Sequence, residues 1–218
     1  VGSEMCIRDR HIGTATPMTT ATAAAVVGAI ATALSCGVQP RQTWHVIKTQ
    51  HVPDERAALT VPGMMILLSI GVLWTGYGWA IGAYASSLLA AVESVCQVIM
   101  LAVLVRHGDI RRQYWALLTL PAACAVAVAV GGGAGWVGAL AAGASMAMFA
   151  APAYKQFKHR HDTTTGYAGT AVALIIVANV LWTIYGVLHG SIWLTLPSAV
   201  HTVFGLFMAW AKRTNTVG

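Results

Sequence analysis

Seven apolar runs, each close to the length that crosses a bilayer, fill this chain. They lie at 20–38, 60–82, 84–105, 114–132, 135–153, 167–188 and 191–211. A spanning helix needs about 20 mostly apolar residues, because the hydrocarbon core is about 30 Å thick and each helical residue rises about 1.5 Å. Only 9% of the 218 residues are charged, against about 25% in soluble domains, so a water-soluble globule is excluded. A net charge of +6 superficially suits a nucleic-acid binder, but the charges fall in short bursts between apolar runs and build no continuous basic face. The sequence therefore reads as an all-α integral membrane protein with seven transmembrane helices.

The bursts alternate. Arg41, Lys48 and Arg56 follow the first run; Arg106, Arg111 and Arg112 follow the third. Lys155, Lys158 and Arg160 follow the fifth, and Lys212 and Arg213 follow the seventh. The loops around Gly82–Ser86, Gly131–Gly135 and His189–Ser191 carry neither Lys nor Arg. Basic loops stay on the cytoplasmic side, which predicts a multi-pass protein of the plasma (inner) membrane with the N-terminus outside and the C-terminus inside. Cys6, Cys36, Cys96 and Cys124 show no CxxC or metal-ligand spacing, so no disulfide framework, metal or cofactor is expected. Val1–Arg10 back-translates to a transposase adapter used in sequencing libraries. Residues 1–17 are accordingly expected to be a non-native scar plus upstream translation in a chain assembled from environmental, prokaryotic DNA, with Met18 as the start.

The chain also repeats itself. Val72-Leu73-Trp74-Thr75-Gly76-Tyr77-Gly78 returns 108 residues later as Val180-Leu181-Trp182-Thr183-Ile184-Tyr185-Gly186, identical at six of seven positions. The same offset pairs Glu93 with His201 and Met100 with Met208; upstream, after a four-residue loop difference, Pro40 pairs with Pro152 and Lys48 with Arg160. Spans one to three thus match spans five to seven. A three-helix unit copied in tandem would insert upside down, and the unmatched fourth span restores its orientation. The expected architecture is two parallel three-helix repeats joined by a linker helix (3+1+3), with the first repeat at 18–108, the linker at 109–133 and the second repeat at 134–218.

The doubled Leu-Trp-x-x-Tyr-Gly signature, with Asn179 upstream of Trp182 and Pro197 in the last span, resembles the SWEET sugar transporters of the PQ-loop group over Gly37 to Arg213. Gln39-Pro40 is a reversed form of that group's Pro-Gln pair, and Ala151-Pro152 a weaker one. The resemblance implies alternating-access transport of a mono- or disaccharide without ATP. It also implies prolines near the cytoplasmic helix ends as hinges, here Pro40, Pro62 and Pro152. Where the family carries a sugar-binding Asn after each signature Trp, this chain has Ala90 and Ser198.

Transport around a central site requires polar groups at mid-membrane, aromatic surfaces and hinges. Trp74 and Trp182 lie well inside their spans at matching depth, and their indoles suit the apolar C–H faces of a sugar ring. Trp79, Trp115, Trp136 and Trp193 lie nearer span ends, as interfacial belt residues do. Glu93 and His201 stand near the middle of equivalent spans, where a charged side chain costs about 2.5–3.5 kcal/mol on insertion scales and should face the interior beside a partner. Each is the other's symmetry-related partner, either for substrate hydroxyls, for a transported proton, or as a plain clasp between helices. Asn179 and Ser198 complete the expected substrate-binding set. Prolines remove a backbone donor and weaken a helix locally, which suits a gate. The Gly138, Ala142, Gly143, Ala147 stripe reads as close helix packing.

The leading function is facilitative transport of a small polar solute, a sugar first, whose partners are the solute, the bilayer and further copies of the chain rather than nucleic acid. One alternative is a proton-coupled PQ-loop-type transporter of another solute, using Glu93 and His201. Another, of a different class, is a seven-helix receptor or sensor. A retinal protein would need a Lys near the middle of the last span, and none precedes Lys212 there. No HExxH motif or intramembrane Ser–Lys pair suggests an enzyme.

Overall fold

A computed structural model describes residues 16–37, 39–52, 61–107, 114, 116–117, 119–130, 134–158 and 169–215. The expected N-terminal scar, apart from the two residues that open the first helix, lies outside the described residues. Among the described residues eight helices follow in order: α1 (Thr16–Cys36), α2 (Gln39–Thr49), α3 (Val61–Ala80), α4 (Tyr84–Arg106), α5 (Thr119–Val130), α6 (Ala134–Lys158), α7 (Gly169–Leu188) and α8 (Ile192–Asn215). No strand occurs among the described residues. Four helical stretches, Thr20–Thr49, Val61–Ala80, Tyr84–Arg106 and Ile192–Trp210, are long and apolar enough to cross a membrane. Apolar side chains also cover the outside. Val95, Val203 and Leu88 are about three-fifths exposed, a surface that lipid satisfies and water does not.

One element differs from the sequence reading. The stretch after the first run, expected as a loop, forms the polar helix α2. It buries Thr43 and Val46 on one face and holds Lys48 Nζ 5.3 Å from the Trp44 ring centroid one turn away. In the fourth run the described residues are α5 and, before it, 3₁₀ residues Tyr114, Ala116 and Leu117.

The helices pair in a regular way. α4 packs against both α1 and α3, and α8 against both α6 and α7. Between these two groups, α1 meets α7 and α3 meets α6, while α5 lies on α3. The hairpins α3–α4 and α7–α8 turn alike. Gly82 and Gly190 adopt φ of 75° and 63°, where glycine is favoured. Ala83 N–H bonds Gly78 O at 2.7 Å and Ser191 N–H bonds Gly186 O at 2.9 Å, while Gly82 and Gly190 bond the carbonyls of Trp79 and Val187. That is a Schellman ending in both hairpins.

The signature glycines explain why these hairpins are tight. A Cβ on Gly78 would lie 2.6 Å from Ser87 Oγ, and one on Gly186 only 2.7 Å from the Thr195 backbone nitrogen. Any side chain there would push the helices apart.

Candidate functional site: a central cavity closed at one end

A cavity of about 440 Å³ lies between the two helix groups. Its wall includes Trp74, Glu93, Asn179, Trp182, Ser198 and His201. All six residues expected to bind substrate therefore face one space, although they come from four helices. Of the three expected hinge prolines, none is among the cavity-lining residues. Pro40 falls within the apolar stretch Thr20–Thr49, and Pro62 is the second described residue of α3. Pro152 falls within α6, with its side chain outside the described residues. The proline that does line the cavity, inside a helix, is Pro197 of α8.

Each signature Trp is fixed by a serine from the opposite helix group. Trp74 Nε1–H donates to Ser145 Oγ at 2.9 Å, and Trp182 Nε1–H donates to Ser35 Oγ at 3.1 Å. With its N–H engaged, an indole offers the cavity its ring surface rather than a donor. Ser145 in turn donates to Ala141 O at 2.7 Å. His201 Nε2–H donates to the Ser145 carbonyl at 3.3 Å, so this ring nitrogen is directed to α6 and not to Glu93, the partner expected from symmetry. Asn179 donates from Nδ2 to Ile175 O at 2.8 Å, and Ser198 donates to Leu194 O at 3.0 Å. Gln39 also lines the cavity, and its Oε1 is buried without a hydrogen-bond partner.

One turn beyond each Trp, the signature Tyr reaches across to the opposite group. Tyr77 hydroxyl and Ser191 Oγ are 2.7 Å apart. Ser191 is the capping residue of α8 and accepts from Leu194 N–H at 3.2 Å. Tyr185 faces the backbone N–H groups of Ala85 and Ser86 in the first turn of α4. There the capping position is Ala83, which has no side chain able to cap. Each ring also lies against a glycine of the opposite group: a Cβ on Gly138 would meet Tyr77 Cε2 at 2.6 Å, and one on Gly28 would meet Tyr185 Cε2 at 2.6 Å. Tyr77 and Tyr185 are almost fully buried, in a cluster with Leu73, Ala83, Val137 and Leu194. This tyrosine plug lies along the chain between the cavity-lining Trp74 and Trp182 and the turns at Gly82 and Gly190, whose loops bear no Lys or Arg.

Two sequence expectations change here. Trp193 packs against the plug and against Gly138, whereas Trp79, 71% exposed, sits as a belt residue should. Gly143 has open space where Gly138 has none, so the small-residue stripe is not a uniform packing seam. Sequence reasoning also missed Ser35, Ser145 and Gln39. The available signal was an isolated polar residue in an apolar run: Ser35 and Ser145 are separated by 110 residues, as are Gly28 and Gly138.

The fold and cavity together define a multi-pass, all-helical membrane protein built around a central chamber. Among solved structures the chain is similar to a eukaryotic SWEET transporter, with a TM-score of 0.67 and 15% identity over 92% of this chain and 98% of that one. No protein-family model matches the sequence, and no curated protein matches it either. The likeness shows a shared fold.

Proposed function

We propose that the chain is a facilitative transporter that moves a small polar solute, a mono- or disaccharide first, by alternating access. The observation that carries this is the cavity itself: it is large enough for a small solute, lined by two indoles and several polar groups, and closed at one end by a plug of crossed tyrosines. Two parallel three-helix repeats with α5 as linker account for the pairing pattern, in which α1, α3 and α4 exchange roles with α6, α7 and α8. In that arrangement the tyrosine plug is the outer closure, the basic segments face the cytoplasm, and transport consists of the two groups rocking about the cavity. Pro40, Pro62 and Pro152 serve as hinges, and Pro197, inside α8 and on the cavity wall, lets a helix flex at the site itself.

A second reading keeps the same site and couples transport to protons through Glu93 and His201, both of which line the cavity. Uptake of radiolabelled glucose and sucrose into proteoliposomes, with and without a pH gradient, separates the two. Saturable uptake that ignores the gradient and is lost in Trp182→Ala is the expected result. Uptake that follows the gradient and is uncoupled in Glu93→Gln would favour the proton-linked reading. A correctly folded protein that transports neither sugar would remove sugars from the proposal.

A further inference from the structure

The outer face of α2 carries chemistry that the cavity does not use. The helical stretch Thr20–Thr49 has 30 residues, whereas about 20 suffice to cross the hydrocarbon of a bilayer. Its last third, the polar α2, therefore passes into the headgroup layer on the side of the basic segments. One face of α2 turns inward: Thr43 and Val46 are buried, and Val46 packs in a cluster with Met100, Leu101 and Leu104 of α4. The opposite face presents Arg41, Trp44 and Lys48, all exposed, to the surroundings. Their spacing of three and then four residues sets them on one stripe of the helix. Lys48 folds back along that stripe, with its Nζ 5.3 Å from the Trp44 ring centroid.

Long side chains on a helix lean toward its N-terminus and cover the turn before their own. Trp44 therefore covers the turn that holds Arg41, and the Lys48 ammonium above its ring is drawn toward that turn. Neither cation forms an ion pair with a described residue, since the one acidic side chain described, Glu93, lines the cavity instead. Two like charges gathered on one exposed stripe repel each other, and an anion seated between them offsets that repulsion. At headgroup depth the anion at hand is a lipid phosphate, which a guanidinium meets with a planar fork and an ammonium as a point charge. A choline headgroup suits the stripe poorly: its own cation would meet two more, and Lys48 already occupies the indole face. We infer that α2 binds the phosphodiester of an anionic glycerophospholipid, such as phosphatidylglycerol, in the leaflet on that side. The inference needs the membrane and not a transported solute, so it stands or falls apart from the transport reading.

To test it, the full chain in a neutral detergent is titrated with phosphatidylglycerol, phosphatidylcholine or inorganic phosphate. Bound lipid is counted by native mass spectrometry, and thermal unfolding is followed in parallel. Each basic side chain beside an anionic lipid surface is worth roughly fivefold in affinity. Phosphatidylglycerol is therefore expected to bind and stabilise at a concentration roughly tenfold or more below that of phosphatidylcholine. Arg41→Gln/Lys48→Gln should remove most of that preference, and each single substitution part of it. The singles carry the comparison if the double variant does not fold. Lys212→Gln/Arg213→Gln removes the same charge from the end of α8 and should leave the preference within about twofold of wild type. The absence of any preference for phosphatidylglycerol overturns the inference. A preference that the two double variants reduce alike also overturns it, because a diffuse positive potential then replaces a site on α2. Stabilisation by inorganic phosphate equal to that by phosphatidylglycerol overturns the lipid as occupant. In all three cases the transport reading is left standing.

Discussion

Replacing Gly186 by alanine adds one methyl group at the closest approach of α7 and α8. The new Cβ would stand 2.6 Å from Thr195 Oγ1, 2.7 Å from Thr195 N and 3.0 Å from the Leu194 carbonyl carbon. Two of those three atoms are backbone, so no rotamer change relieves the clash and the hairpin must open by several tenths of an ångström. Overpacking of this kind costs about 1–3 kcal/mol. Alanine in a helix returns about 0.5–1 kcal/mol over glycine, which leaves a net loss of about 0–2.5 kcal/mol, with a mid-range value near 1 kcal/mol. On the scale of domains of 150–250 residues the mid-range value is a fall of about 2–4 °C in Tm. Gly143→Ala is the internal control, because nothing lies within 4 Å of its added Cβ. Thermal unfolding of both variants in the same detergent, followed by the helical circular-dichroism signal, reads the difference. Gly186→Ala should unfold earlier than wild type and Gly143→Ala at the same temperature or later. If the two variants unfold together, close backbone approach is not why the signature ends in glycine.

Gly78→Ala should behave like Gly186→Ala in the other hairpin but more mildly, since its nearest contact is the Ser87 hydroxyl and its nearest backbone atom is 3.0 Å away; the same melting assay checks it. Tyr77→Phe removes the 2.7 Å bond to Ser191 at a cost of about 0.5–1.5 kcal/mol. In a background without native cysteines it should speed labelling of Ala90→Cys by a reagent confined to the side without basic loops. His189, in the α7–α8 turn 4.5 Å from the Tyr185 ring, has its pKa lowered by burial, so the neutral ring is favoured in the fold. Its contribution to stability is therefore complete above about pH 6.5 and declines as the pH falls toward the lowered folded value. His189→Gln should flatten that part of the Tm–pH curve.

The sequence made the apolar helices legible because a bilayer imposes a length and an apolarity that no other environment demands together. Where that constraint relaxes, legibility falls. α2 lies in a polar stretch that runs read for apolarity alone pass over, although its buried Thr43 and Val46 are three residues apart, as one helix face requires. Proline type signals a weakened helix, but which proline borders the cavity depends on the packing, and there it is Pro197.

The candidate site divides along a similar line. Residues that match at the 108-residue offset could be paired from the sequence, and Trp74, Trp182, Glu93 and His201 all reach one cavity. What could not be read is which partner they take, because symmetry pairs equivalent residues with each other, whereas each tryptophan bonds a helix of the opposite group and His201 bonds α6 of its own group. Trp74 bonds Ser145 and Trp182 bonds Ser35; Tyr77 bonds the cap of α8 and Tyr185 faces the start of α4. An equivalent-to-equivalent pair must meet on the symmetry axis, where it would occupy the chamber. Crossed pairs lie off the axis and leave the centre open. The same geometry holds the two helix groups together at two levels, through the indoles beside the cavity and the phenols above it. In the proposed transport cycle, rocking one group against the other has to break the Tyr77–Ser191 bond.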